Sequence, residues 1–148
     1  MTETHSDWRN ASDVLTSSVA HLKTTFKNFD WVGIYLLNGD VLELGPFIGA
    51  ATDHTTIKVG VGVCGTAVAR NEDMNVPDVT QLTNYLSCSV ETASELVVLI
   101  RDANGKVLGQ IDIDSHTRNA FGPEEERAVR EVADELGRLW PANAGARW

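Results

Sequence analysis

Apolar residues recur along the chain first with a helical period and then with a strand period. Leu15, Val19, Leu22, Phe26 and Phe29 follow one another at four, three, four and three residues, which predicts a helix from about Asn10 to Asn28. Trp31 to Leu37 alternates in a β-rich run, and Asn38-Gly39-Asp40 turns it into a partner from Val41 to Leu44. Thr56 to Val59 reads as a short strand, Gly65 to Arg70 as a short helix, and Met74 to Val76 as another short strand. Leu96 to Ile100 is apolar at both parities, as in a central strand. Ala103-Asn104-Gly105 then turns the chain into a partner from Lys106 to Asp114. Gly122-Pro123 followed by Glu124, Glu125 and Glu126 starts a last helix, whose buried stripe is Val129, Val132, Leu136 and Leu139. Helix, hairpin, small mixed middle, hairpin, helix, without βαβ alternation, predicts an α+β fold: an antiparallel sheet covered by terminal helices.

Composition narrows the function classes. The chain has 148 residues, 43% of them hydrophobic, with no apolar run long enough for a membrane span. Met1 to Arg9 is polar and has no signal-like apolar core, so a cytoplasmic protein is expected. A net charge of −9 with no Lys/Arg cluster argues against nucleic acid and membrane surfaces as partners. Two cysteines are too few for a disulfide scaffold, so each is a packing thiol or a chemical one.

Gly60-Val61-Gly62-Val63-Cys64-Gly65 matches the dinucleotide-binding glycine pattern literally, but the helix after it is barely two turns long before Asn71-Glu72-Asp73. The glycines are better read as a tight loop around Cys64, where backbone N–H groups at a helix start could lower the thiol pKa. The alternative is a buried cysteine acting as a small hydrophobe. Cys88 lies in the polar segment Leu86-Ser87-Cys88-Ser89-Val90-Glu91, where an exposed thiol is available to attack and a second thiol is available to resolve. Chance exposure of an inert thiol is the plainer explanation.

Asp112 and Asp114 share a strand face about 7 Å apart, and Ile111 and Ile113, alternating with them, mark the other face as core. With Glu95 at the start of the neighbouring strand, a three-carboxylate cluster is expected, in which crowding keeps a proton on one acid near neutral pH. Such a cluster serves as a general acid or as an ammonium site; edge-strand solubility is the competing explanation. His116 continues the same parity, but Asp-x-Asp-x-His matches no strong zinc or calcium spacing, so no metal is expected. Trp31 and Tyr35 share a face and read as core with polar tips, or less commonly as a pocket wall.

Five segments taken together resemble the free methionine-(R)-sulfoxide reductases, which are stand-alone GAF-domain enzymes. They are Asp30-Trp31-Val32-Gly33-Ile34-Tyr35-Leu36, Leu44-Gly45-Pro46-Phe47, Gly62-Val63-Cys64-Gly65-Thr66-Ala67, Ser94-Glu95-Leu96-Val97-Val98 and Gly109-Gln110-Ile111-Asp112-Ile113-Asp114-Ser115. The resemblance implies a single GAF-like domain over residues 10–140, with tails at 1–9 and 141–148. It implies that Cys88 attacks the sulfoxide sulfur, releasing methionine and leaving a sulfenic acid. Cys64 then condenses with it, and a thioredoxin-type reductant opens the disulfide; which of the two thiols attacks stays open at this point. Glu95, Asp112 and Asp114 match the acids around the sulfoxide and the amino group, and Trp31 and Tyr35 match the walls around free methionine sulfoxide. No cofactor is implied, and a homodimer is expected from the habit of GAF domains to pair through helices.

The chain departs from the family pattern in two places. The usual third cysteine, ten residues before the Val-Cys-Gly cysteine, is His54. The Gly-His pair before the catalytic cysteine and the acid after it are replaced by Asn84-Tyr85-Leu86-Ser87 and by Ser89. The competing reading is a non-catalytic GAF module that binds a small molecule or dimerises.

Overall fold

The first helix is shorter than its apolar period. A computed structural model describes residues 8–82 and 91–141, and in it α1 spans Val14–Thr25. Asp13 sets the start, because its carboxylate accepts a hydrogen bond from the Thr16 N–H at 3.2 Å. Trp8–Asn10 forms a separate 3₁₀ turn. Phe26 leaves the helix with extended backbone, yet Phe26 and Phe29 still stack at 4.7 Å between ring centroids and pack on the core. Their spacing therefore continues the helical pattern without helical backbone.

The strands are β1 (Trp31–Asn38), β2 (Val41–Ile48), β3 (Thr56–Lys58), β4 (Met74–Val76), β5 (Ser94–Arg101) and β6 (Val107–Ser115). They form one antiparallel sheet in the order β3-β2-β1-β6-β5-β4. The two predicted hairpins are therefore joined side by side through β1 and β6. β2 runs four residues further than its pattern suggests, because the register shifts between Gly33 and Tyr35 and lets Gly45-Pro46 pass as a bulge. Helix α2 covers Gly62–Arg70 and α3 covers Pro123–Leu139. Among the described residues no helix is long and apolar enough to cross a membrane.

The sheet carries a different cover on each face. Ile111 and Ile113 point with Val32, Ile34, Leu96 and Val98 into the core under α1 and α3, against Leu15, Leu22, Val129 and Leu136. Asp112 and Asp114 point to the opposite face with Trp31, Tyr35, Val97 and Leu99, where α2 lies. A one-residue slip of β6 would exchange two isoleucines for two carboxylates under the terminal helices. At about 1.5–3 kcal/mol for each large apolar side chain, before any cost of burying charge, that register is excluded.

Candidate active site

The glycine run after β3 forms a loop that places Cys64 above β6. Gly60 (φ +98°) and Gly62 (φ +68°) adopt left-handed backbone, and the Gly60 N–H donates to the Gly65 carbonyl at 2.8 Å. A Cβ on Gly65 would sit 2.5 Å from the Lys58 carbonyl oxygen, so the loop closes only without a side chain there. Cys64 falls in the first turn of α2, and the Gln110 side-chain amide donates to its carbonyl at 3.1 Å. Helix α2 is thereby tied to β6 two residues from Asp112. The sheet is wholly antiparallel, so the glycine pattern serves this loop and has no dinucleotide fold around it.

Beneath the loop the expected acids do converge. Glu95 lies opposite Asp114 across β5 and β6, while Asp112 lies opposite Val97. Glu95, Asp112 and Asp114 are only 1–2% exposed. The Cys64 Sγ is 3.8 Å from Glu95 Oε2, and one ligand atom each from Cys64, Glu95 and Asp112 fall within 4.8 Å of one another. Edge-strand solubility does not account for carboxylates buried to this degree.

Burial raises the Glu95 carboxyl well above the usual range, and the neighbouring charges of Asp112 and Asp114 add to it. Burial also raises Asp112, opposed by hydrogen bonds from Glu95 and Cys64. The arrangement is that of a carboxyl pair sharing a proton, with Glu95 as donor and Asp112 as acceptor. The Cys64 thiol is pushed up as well, first by burial and then by the charges of Asp112, Glu95 and Asp114. This corrects the expectation that the helix start lowers its pKa: the partial charge of one helix terminus loses to desolvation and three acids.

Trp31 and Tyr35 are both buried, and both use their polar tips to hold the segment after β2. The Trp31 Nε1–H donates to the Ala50 carbonyl at 2.9 Å, and the Tyr35 hydroxyl donates to the His54 carbonyl at 2.8 Å. The Trp31 ring lies over Gly33 and stacks on Phe47 at 5.4 Å. Tyr35, His54, Val63, Cys64 and Asp112 share the lining of a small chamber of about 10 Å³, room for a single water. A larger open groove of about 500 Å³ lies between β4, β5 and α3; it is bordered by the Asp73–Arg130 ion pair and, unlike the small chamber, is lined by no thiol.

His116 does not join the acids. It follows the end of β6, where its N–H donates to Asp30 Oδ2 at 2.7 Å and its ring sits near Asp30 and Glu91. Cys88, with Asn84-Tyr85-Leu86-Ser87 and Ser89, lies outside the described residues. Two lining or anchoring residues, His54 and Gln110, were not singled out for this role by the sequence. Gln110 carried a usable signal, since it extends the parity of Asp112 and Asp114 as a third polar residue on that strand face.

A model of the GAF domain family matches residues 10–139. Over 125 residues the chain is 36% identical to the free methionine-R-sulfoxide reductase of Escherichia coli (strain K12), covering 84% of this chain and 74% of that protein. The chain belongs to the free methionine-R-sulfoxide reductase family of GAF domains. A yeast member, from Saccharomyces cerevisiae, is 35% identical over 127 residues, covering 84% of this chain and 68% of that protein. Solved structures of the family superpose closely. The type II free methionine-R-sulfoxide reductase from Thermoplasma acidophilum gives a TM-score of 0.80 at 39% identity, covering 84% of this chain and 87% of that one. The Neisseria meningitidis reductase in complex with its substrate gives 0.80 at 34% identity, covering 95% and 82%.

Proposed function

We propose that this chain reduces free L-methionine-(R)-sulfoxide to methionine with the chamber over Asp112 as its active site. The observation that carries the reading is the buried Cys64–Glu95–Asp112 cluster, in a chain whose family members bear that activity in their names. A carboxyl pair holding one proton in a desolvated chamber suits a reaction that must protonate a departing sulfoxide oxygen. The same negative face suits the ammonium group of a free amino acid, with Asp114 beside Asp112 on the strand. Trp31 and Tyr35 support the pocket by fixing the segment that closes it.

In the proposed sequence, the Cys88 thiolate attacks the sulfoxide sulfur while Glu95, with Asp112 behind it, supplies a proton to the oxygen. The hydroxyl passes from the substrate sulfur to the Cys88 sulfur as the S–O bond and the transient S–S bond break, so methionine leaves and Cys88 is left as a sulfenic acid. The Cys64 thiol then attacks the Cys88 sulfur, water departs, and one disulfide forms; a thioredoxin-type dithiol returns both cysteines to thiols. The high pKa of Cys64 supports this division, because a thiol held protonated in the resting state is a poor first nucleophile. With His54 at the position of the third cysteine, Cys64 is the one thiol in the chain left to pair with Cys88.

A single turnover tests the sequence. Reduced protein given excess R epimer without reductant should release one methionine and lose two thiols, with mass mapping placing one disulfide between Cys64 and Cys88. A burst without loss of the Cys64 thiol would remove Cys64 from the cycle.

A further inference from the structure

We propose that Cys64, Glu95 and Asp112 form a binding site for a thiophilic divalent cation of the zinc class, an occupant that competes with the chemistry of the same chamber. Zinc bonds of about 2.3 Å to sulfur and about 2.1 Å to carboxylate oxygen place tetrahedral ligands about 3.4–3.6 Å apart. Here the Sγ–Oε2 separation is 3.8 Å, and all three ligand atoms lie within 4.8 Å of one another, so small side-chain rotations close the shell. All three residues stand on regular elements: α2, β5 and β6.

The second observation is an unmet bonding capacity. Glu95 Oε1 and Asp112 Oδ1 are buried and have no hydrogen-bond partner among the described residues. Gln110 Oε1, on the strand position next to Asp112 on that face, is in the same condition. A buried oxygen without a partner costs about 1–3 kcal/mol, and a carboxylate that turns such an oxygen to a cation removes that cost. The donor set selects the ion: one thiolate with two carboxylates suits a borderline-soft d¹⁰ ion, whereas magnesium and calcium take oxygen shells. Three protein ligands leave the fourth position open toward the chamber that Cys64 and Asp112 line with Tyr35 and His54. The thiol proton leaves to solvent as the zinc–sulfur bond forms.

Occupancy would cap the resolving thiol and both members of the acid pair, so zinc and methionine sulfoxide would exclude each other; that consequence rests on the reductase reading, while the binding itself does not. The test uses full-length reduced protein with zinc chloride in calorimetry and cobalt chloride in absorption. Cys88→Ser protein, in which Cys64 is the remaining thiol, should take up one cobalt with a thiolate-to-metal charge-transfer band. Zinc affinity should fall at least tenfold in Cys64→Ser and in Asp112→Asn, and stay within threefold in His116→Ala. Absence of the band in Cys88→Ser protein, or unchanged zinc affinity in Cys64→Ser, overturns the site. Zinc binding in protein that never releases methionine would instead separate the metal site from a failed reductase reading.

Discussion

Removing the charge of Asp112 while keeping its shape tests the electrostatics of the chamber without passing through catalysis. In Asp112→Asn, on a Cys88→Ser background, Cys64 is the one thiol left to titrate. Asp112 is the largest charge acting on that thiol after burial itself, and it holds a ligand atom within 4.8 Å of Sγ. Two unit charges at that separation interact by about 3.5 kcal/mol at an effective dielectric constant of 20. Glu95 holds the proton of the pair and Asp112 the charge, and removing that charge lets Glu95 ionise more readily, so roughly half of that energy is expected. Since about 1.4 kcal/mol corresponds to one pH unit, the Cys64 midpoint should move down by at least about one unit in Asp112→Asn. The assay is the ultraviolet absorbance of the thiolate followed against pH, with circular dichroism confirming the fold. An unchanged or higher midpoint would refute the placement of Asp112 beside Cys64.

The remaining predictions concern stability and turnover. Glu95 has its folded pKa raised, so its stabilising contribution is complete below the ordinary carboxyl range and is lost as pH rises through the folded value. Glu95→Gln should therefore gain in melting temperature relative to wild type between about pH 5 and pH 8, and a flat difference would contradict the raised pKa. Cys64→Ser should release about one equivalent of methionine and then stall with thioredoxin as reductant, whereas full steady-state turnover would end its resolving role. Gly65→Ala should cost about 1–3 kcal/mol in denaturant unfolding, because its Cβ meets the Lys58 carbonyl oxygen; no loss would mean that the loop relaxes freely. Tyr35→Phe should cost about 1 kcal/mol and raise KM more than it lowers kcat, since the hydroxyl anchors the segment at His54; a pure kcat effect would assign it to the chemical step instead.

The parts of this site that were legible in the sequence are those set by strand parity. Period two puts Asp112 and Asp114 on one face, Ile111 and Ile113 force that face away from the core, and an adjacent hairpin strand brings Glu95 opposite. The position of Cys64 over those acids was not legible, because it depends on a loop closed by Gly65 and on a side chain, Gln110, that reaches α2 from β6. Its raised pKa follows from the same contact, which local reasoning about a helix start cannot anticipate. The end of α1 misled for a related reason: Phe26 and Phe29 keep a helical spacing through tertiary stacking after the backbone has become extended. His116 continues the parity of the acids in sequence but not their face, since the strand stops at Ser115 and the His116 N–H donates to Asp30.

The central claim is that the acidic chamber beside Cys64 reduces a free amino acid of one sulfur configuration. Methionine release measured from each epimer of free methionine sulfoxide, with dithiothreitol as reductant, tests it most directly when Cys88→Ser and Asp112→Asn are run beside the wild type. The account predicts catalytic release from the R epimer alone, none in Cys88→Ser, and a slower rate in Asp112→Asn. No release from either epimer by folded protein, or equal rates from both, would contradict it.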